Sequence, residues 1–506
     1  MSMTTSHLYT AAESRALDQR AMEALTVDGF TLMQRAADYA FACILERYAG
    51  LQAVSVWCGK GNNAGDAYLV AARAQQYGLT VQVVAAEPVE GLAGDAALAY
   101  QQAAACGLTV VTLDAADMNF VARADVVVDG LLGTGFHGEP RGSTALALQL
   151  LQPITTPVFS IDVPSGVDAS TGAAAPTALY ADATASFITQ KIGLFTGAGT
   201  EHVGDNYFDA LGVPEYVYAA ADMGIPRQTF DAGQLAALPR NTYKHQRGHV
   251  VVVGGARNMP GAVMMAAQAA LRVGAGMVTV VTHAAHTNAI VSRTPEVMVV
   301  DAEDETVPEL LDKASLLVVG PGLGRSAWSE HLYDRVVSGV AADKPLLLDA
   351  DGLHWLALRG NSSGSNLFIT PHAGEAAALL GCSSLQVQAD RVASVRALQQ
   401  QYACAGVLKG AGSLVFDTDQ VSLCGHGNPG MATAGMGDVL SGMAGGLMAC
   451  AATGDAHLLR QCFNQAVLLH SAAADQAAAR LGPRSLLATD VIDVIPQLLS
   501  EAPLPE

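Results

Sequence analysis

Short, unbroken apolar runs rich in β-formers alternate with helix-length, alanine-rich segments almost from one end of this chain to the other. That alternation restricts the fold to α/β layers. In the first half the predicted strands are residues 53–57, 80–85, 124–128, 157–161 and 184–188. A second series falls at 249–254, 277–282, 315–319, 345–349, 367–370 and 405–408. The runs do not alternate apolar with polar, as expected for parallel strands covered on both faces. Strand, helix, strand order implies right-handed crossovers and doubly wound sheets. At about 150 residues per domain, 506 residues would suggest three domains. Large α/β domains exceed that length, so two domains fit as well. Residues 219–248, with Pro226, Pro239 and the polar cluster NTYKHQRG, separate the two series. The boundary is placed near 225, giving domains 1–224 and 225–506. The halves share no repeated motif, so they read as different domains rather than a duplication.

The formal net charge is −20. Such a surface repels nucleic-acid backbones and anionic membranes, so neither is an expected partner. A phosphate-bearing ligand must then be held locally, by backbone N–H groups, helix N-termini, a lysine or a metal. The eight cysteines are scattered without a C-x-x-C pair, which argues against a zinc site or a disulfide framework. The first residues lack the pattern of a secretion signal, and a cytoplasmic location is expected. The most apolar stretch, 436–452, is interrupted by glycines and reads as a buried helix rather than a membrane span.

Three loops of the first half end predicted strands. Cys58-Gly59-Lys60-Gly61-Asn62-Asn63-Ala64-Gly65-Asp66 precedes a helix. It suits a phosphate, or equally a plain turn with Asp66 capping the helix; it is not G-x-G-x-x-G. Asp129-Gly130-Leu131-Leu132-Gly133-Thr134-Gly135 and Asp162-Val163-Pro164-Ser165-Gly166 follow later strands. Ligands of such sheets bind at the carboxyl edge, so the three loops should converge there. A single aspartate at a strand end is more often a turn or cap. Oxygen donors at Asn63, Asp129 and Ser165 together suit a hard cation.

These loops resemble the NAD(P)H-hydrate epimerase family, whose pattern is G-x-G-N-N-x-G-D, D-x-L-L-G-T-G, then D-x-P-S-G. The resemblance spans about residues 10–215 and implies a Rossmann-like sheet. It also implies that Asn62, Asn63, Ala64, Gly65 and Asp66, with Gly133, Thr134, Gly135, Phe136, His137, Gly138 and Glu139, hold a hydrated dinucleotide. By the same resemblance Asn63, Asp129 and Ser165 bind potassium, and Asp162 touches the altered nicotinamide. Asp162 is the candidate for proton transfer between the R and S hydrates. The family usually reads N-N-G-G-D-G, and here Ala64 and Ala67 replace two glycines. A methyl at a positive-φ position would be strained, so either those positions are not left-handed or the loop is altered.

In the second half the strongest signal is Asn428-Pro429-Gly430-Met431-Ala432-Thr433-Ala434-Gly435-Met436-Gly437-Asp438, followed by an apolar helix. A glycine-rich turn at a helix N-terminus supplies donors for developing negative charge, and Asp438 can accept a proton. The bland reading, a glycine turn with an aspartate cap, leaves so elaborate a loop unexplained. Lys409-Gly410-Ala411-Gly412-Ser413, Thr370-Pro371-His372-Ala373-Gly374-Glu375 and Gly320-Pro321-Gly322-Leu323-Gly324 also follow strands. Asp349 and Asp351 end another; one is taken as a structural cap and the other left open.

This set resembles the ADP/ATP-dependent NAD(P)H-hydrate dehydratases, a branch of the ribokinase-like fold, over about residues 230–500. The resemblance implies that Ala262, Gly322, His372 and Asp438 contact the hydrated dinucleotide. It assigns Lys409, Gly410, Ala411, Gly412, Ser413 and Gly437 to the adenine nucleotide, with magnesium on its phosphates. The implied reaction has Asp438 deprotonate the ring hydroxyl, which takes a phosphoryl group and leaves as phosphate. Epimerase and dehydratase together would consume both hydrates. Two other readings stand beside this one: a ribokinase-like kinase of a vitamin-precursor alcohol, and a first half that binds without turnover. A homo-oligomer is expected, with apolar helices such as 436–452 as possible contributors to its interface.

Overall fold

The apolar run Ala53–Cys58 (β1) becomes the centre of a seven-stranded sheet. The protein is described by a computed structural model covering residues 6–500 except 222, 238–239, 340, 342, 361–365 and 452–454. Pro239 therefore lies outside the described residues. The chain divides into two compact units, Met1–Pro226 and Arg227–Glu506.

In the first unit β1 is joined by β2 (Thr80–Ala85), β3 (Val110–Thr112), β4 (Val126–Gly130), β5 (Val158–Ile161), β6 (Ala183–Phe187) and β7 (Asp205–Asp209). They run in the order β3-β2-β1-β4-β5-β6-β7. Every neighbouring pair is parallel. This is the order of a doubly wound dinucleotide-binding sheet, and the order reverses between β1 and β4. The loops after those two strands are therefore brought together. Helices α1 (Ala11–Leu25) and α2 (Asn62–Tyr77) belong to this unit.

In the second unit β8 (His249–Val253) is flanked by β9 (Met277–Thr282) and β11 (Leu316–Val319). With β10 (Met298–Asp301), β12 (Leu346–Leu348), β13 (Leu367–Ile369), β14 (Ala405–Leu408), β15 (Leu414–Phe416) and β16 (Val421–Cys424), the order is β10-β9-β8-β11-β12-β13-β14-β15-β16. The strands from β10 to β14 pair in parallel, and β15 and β16 add antiparallel pairs. Helices α3 (Pro260–Arg272), α4 (Ala373–Leu380), α5 (Met436–Cys450) and α6 (Ala456–Leu481) belong here.

The strands missed in the sequence have a common cause. β3 is three residues long, β7 reads DNYFD, and β10 begins with the exposed Met298. Edge strands are half-solvated and lack the unbroken apolar signature. β15 and β16 are short and joined by the polar turn DTDQ.

Helix α5 is buried from Val439 through Ala449. A Cβ on its Gly442 would stand 2.0 Å from the Ala266 carbonyl, so α5 lies directly on the backbone of α3. This corrects the expectation of an interface there: the unit's own core uses up the helix's apolar surface. Residue 452, the end of the predicted stretch, is outside the described residues. Among the described residues no helix is long and apolar enough to cross a membrane.

Candidate active sites

In the first unit a cavity of about 900 Å³ opens at the carboxyl edge of the sheet. Asn62, Asn63, Asp66, Gly133, Thr134, Gly135, Phe136, His137, Glu139 and Asp162 line it. The three predicted loops do converge. Ala64, Gly65 and Gly138 are not in the lining: Ala64 is fully buried, and a Cβ on Gly65 would meet Met33 at 2.6 Å. Helix α2 begins at Asn62, so Asp66 lies within its first turns and is not its cap, correcting the bland reading. No side chain caps α2 at Gly61, and this N-terminus meets the cavity with the positive end of the helix dipole. The helix also explains Ala64 and Ala67, which are right-handed and absent from the positive-φ residues. A Cβ on Gly130 would come within 2.3 Å of the Ala67 methyl. Glycine on β4 thus makes the room that glycine on the helix would otherwise provide.

Asp129 is fully buried. Its Oδ1 accepts from Ser165 Oγ at 2.5 Å and from Leu131 N at 3.2 Å. Its Oδ2 accepts from Ser165 N at 2.8 Å and Ser160 Oγ at 2.9 Å. Asn63 Nδ2 donates to the Leu132 carbonyl at 2.7 Å, while its Oδ1 is buried with no donor. The Leu132 carbonyl also accepts from Ser165 Oγ at 3.3 Å, so the open oxygen belongs to the same loop cluster as Ser165, and an oxygen left open in this way is what a cation would complete.

Asp162 has a φ of 65°, in the left-handed region that costs most residues strain and aspartate less. Its carboxylate is paired with the Lys191 ammonium, which also donates to the Phe187 carbonyl at 3.1 Å. Lys191 is only 2% exposed. Two more carboxyls join them. Burial, then the Asp162 charge, pushes Asp66 far above the carboxylate range, with Lys191 opposing. Burial also pushes Asp18 of α1 up to about 6, against the pull of Lys191 and Arg15. Asp18 can therefore give and take a proton near neutral pH beside the Asp162–Lys191 pair. His137 is held by Asp168 at 2.7 Å. Lys191, Asp18 and Asp168 were not anticipated. Lys191 follows a strand, a weak signal, and Asp18 sits in an ordinary amphipathic helix far away in sequence.

In the second unit the loops after β8 and β11 meet at the point where strand order reverses. Gly255 N donates to the Pro321 carbonyl at 2.9 Å. A Cβ on Gly322 would lie 3.0 Å from that of Ala262, so these two predicted residues are neighbours. Asp351 accepts from Gly324 N and Arg325 Nε, each at 2.9 Å, so it is the structural member of the aspartate pair, though it holds the 324–325 loop and does not cap its helix, whose N-cap is Ala350. His372 is the N-cap of α4, its Nδ1 accepting from Gly374 N at 2.9 Å and Glu375 N at 3.2 Å. Its proton must then reside on Nε2.

Asp349, 1% exposed, accepts from Lys409 Nζ at 3.0 Å, Thr370 Oγ1 at 2.7 Å and Ser441 Oγ at 2.7 Å. Burial alone would raise its pKa, but Lys409 and the donated hydrogen bonds outweigh it and hold it below the usual range. Burial lowers Lys409 as well, yet Asp349 and Glu375 leave its pKa raised. Asp438, in the first turn of α5, is pushed up to about 7 by burial and then by Asp349, with Lys409 opposing. The N-cap of α5 is Gly435, at φ +91°, and no side chain caps that end. A Cβ on Gly437 would lie 3.3 Å from Lys409 Nζ. Gly437, Lys409 and Asp438 thus share one corner. Ser413 Oγ closes the 410–413 turn by donating to the Gly410 carbonyl at 3.1 Å.

Two supports were not foreseen. Buried Arg391 braces the strand below that turn, donating to the Leu408 carbonyl at 3.1 Å. Asp475 on α6 holds the 427–428 loop through Gly427 N and Asn428 Nδ2, each at 2.9 Å. An open helix N-terminus, a cation and a carboxyl titrating near neutrality are the parts phosphoryl transfer to a hydroxyl requires.

Residues 29–193 match the family model described as YjeF-related protein N-terminus. Residues 250–497 match the one described as NAD(P)H-hydrate dehydratase. The chain is similar to the bifunctional NAD(P)H-hydrate repair enzyme of Coxiella burnetii, 39% identical over 490 residues, covering 96% of this chain and 97% of that protein. The bifunctional NAD(P)H-hydrate repair enzyme of Escherichia coli is 35% identical over 498 residues, 97% of this chain and 94% of that one. Among solved structures, a hypothetical protein of Streptococcus mutans is 27% identical with a TM-score of 0.50, covering 54% of this chain and 99% of its own.

Proposed function

This chain belongs to the family of bifunctional NAD(P)H-hydrate repair enzymes, and from that premise we propose how its two units divide the work. The first unit, Met1–Pro226, is a Rossmann-like epimerase that interconverts the R and S hydrates of NADH and NADPH. The second, Arg227–Glu506, is a ribokinase-like dehydratase that uses ADP or ATP to return the S hydrate to NAD(P)H. AMP or ADP and phosphate are the other products.

In the epimerase Asn62, Asn63 and Asp66, with Gly133, Thr134, Gly135, Phe136, His137 and Glu139, hold the dinucleotide, with the α2 N-terminus toward its phosphates. Inverting the hydroxyl-bearing carbon requires its C–O bond to break, with a proton given to the departing hydroxyl, and to re-form on the other face as water adds and gives up a proton. Asp162, oriented by Lys191, fills one of these roles. Potassium fits beside Asn63, whose open Oδ1 is the observation for it. Asn63 and Ser165 would hold the ion, and Asp129, with both oxygens already engaged, would supply negative charge behind Ser165. The ion would add fixed positive charge to the loops that meet the substrate.

In the dehydratase Ala262, Gly322 and His372 border the hydrated nicotinamide, and the 409–413 turn with Gly437 holds the magnesium complex of ADP or ATP. Asp438 takes the proton of the ring hydroxyl as that oxygen attacks the terminal phosphoryl group. The hydroxyl thereby leaves as phosphate, and loss of a proton from the adjacent carbon restores the dihydronicotinamide. The observation that carries this reading is Asp438, pushed up to about 7 at an uncapped helix N-terminus beside Lys409.

The test is recovery of the reduced-nicotinamide absorbance from a mixture of R and S hydrates with ADP or ATP and magnesium. Wild type restores the full signal, Asp438→Asn restores none, and Asp162→Asn stops near the S fraction. A wild type inactive on pure S hydrate sinks the dehydratase assignment.

A further inference from the structure

We propose that Asp349 is a positioning residue for the dehydratase reaction: its carboxylate ties Lys409, β13 and α5 together and so sets where the phosphate-side cation and the Asp438 carboxyl stand. This rests on the dehydratase reading above.

Three elements send a donor to this one carboxylate: Lys409 from the end of β14, Thr370 from the end of β13, and Ser441 from α5. Ser441 and Asp438 lie three residues apart on α5 and so share a helix face. The chain accepts strain to place Asp349 there. Ala350 takes φ 48° and ψ −120°, a region that side-chain-bearing residues avoid. Such backbone persists only where its surroundings over-determine it. The consequence is visible on either side: Asp351 turns to the 324–325 loop, while Asp349 turns to Lys409. The approach is close as well, since a Cβ on Gly320 would sit 1.8 Å from the Asp349 carbonyl.

Position carries charge with it. Asp349 is the main charged group raising Asp438, and Lys409 opposes it. The other groups around this corner are Glu375 of α4, 3.8 Å from Lys409, and His470 of α6, kept neutral because burial pushes it down to about 4. A neutral residue at 349 would leave Lys409 unanchored and Asp438 more acidic. A carboxylate serving only as core glue would do neither.

The experiment uses the whole protein with pure S hydrate and magnesium ADP, following kcat/KM from about pH 5.5 to about pH 9. For wild type we expect the acid limb to rise through about 7, where Asp438 is pushed. For Asp349→Asn we expect that limb to move down by about one pH unit or more, with a several-fold higher KM for ADP. A lower kcat with the limb unmoved overturns the proposal. If circular dichroism shows that Asp349→Asn does not fold, Lys409→Met is compared with the double variant Asp349→Asn/Lys409→Met, which removes both partners of the buried Asp349–Lys409 pair. A lower limb in the double variant supports the proposal, and coincident limbs overturn it. An inactive wild type, in contrast, removes the dehydratase reading itself.

Discussion

Ionising Asp438 in the first turn of α5 takes a charge out of water, and the cost appears as a pKa raised from 3.8 to about 7. A base needs a pKa near the working pH, so the same burial that weakens the fold makes the group useful. The stability effect follows by linkage. Because the folded value is raised, the protonated carboxyl's contribution is whole below pH 3.8 and lost as pH rises through about 7. Asp438→Asn is therefore expected to melt higher than wild type at pH 8 and nearly with it at pH 4. The ceiling on that gain is on the order of 4 kcal/mol. Thermal melts across pH check this, and a gain that does not vary with pH would show that the carboxyl is not held protonated. Asp162 belongs to the same economy of strain, with a left-handed backbone at the residue proposed to move protons.

At the scale of elements, both sites are made where a helix meets a glycine-bearing strand or helix at backbone distance. Ala67 of α2 occupies space that Gly130 of β4 vacates. Gly130→Ala puts two methyls within 2.3 Å, so α2 must lift away from the sheet. The expected cost is about 1–3 kcal/mol, with epimerisation falling alongside because Asn62, Asn63 and Asp66 ride on α2. Adding Ala67→Gly should restore most of both losses. Melting temperature and the rate of R-to-S conversion are the readouts, and a double variant no better than the single would break the argument. Gly442, which lets α5 lie on the backbone of α3, plays the corresponding part in the second unit.

For the whole molecule, the charge of −20 opposes every anionic substrate proposed for it. Long-range repulsion is screened over about 10 Å at 0.1 M salt, whereas contacts inside the sites are screened much less. The kcat/KM for magnesium ADP should therefore rise with ionic strength from about 0.01 M to about 0.15 M, through faster encounter. Stopped-flow binding rates over that range decide it. A fall would mean that local positive potential at the helix N-terminus and Lys409 dominates the approach.

The central strands, their parallel pairing and the convergence of their loops were legible in the sequence, because buried parallel strands are unbroken apolar runs and ligands sit at their carboxyl ends. The edge strands β3, β7 and β10 were not, since half-solvated segments carry no such pattern, and the buried β15 and β16 were not because each is only three or four residues long. In the sites, the strand-end loops that carry Asn63, Asp129, Asp162, Lys409 and Asp438 were legible in the sequence, and the family resemblance supplied most of the roles expected of those residues. What surrounds them belongs to the tertiary structure. Lys191 and Asp18 reach Asp162 from distant parts of the chain, the choice between Asp349 and Asp351 turned on the backbone of Ala350, and whether Ala67 could replace glycine depended on Gly130 of the neighbouring strand. The physical reason is common to all of these. Spacing along the chain records which residues share a turn, whereas burial, pairing and the room for one methyl group are set by atoms that only folding brings together.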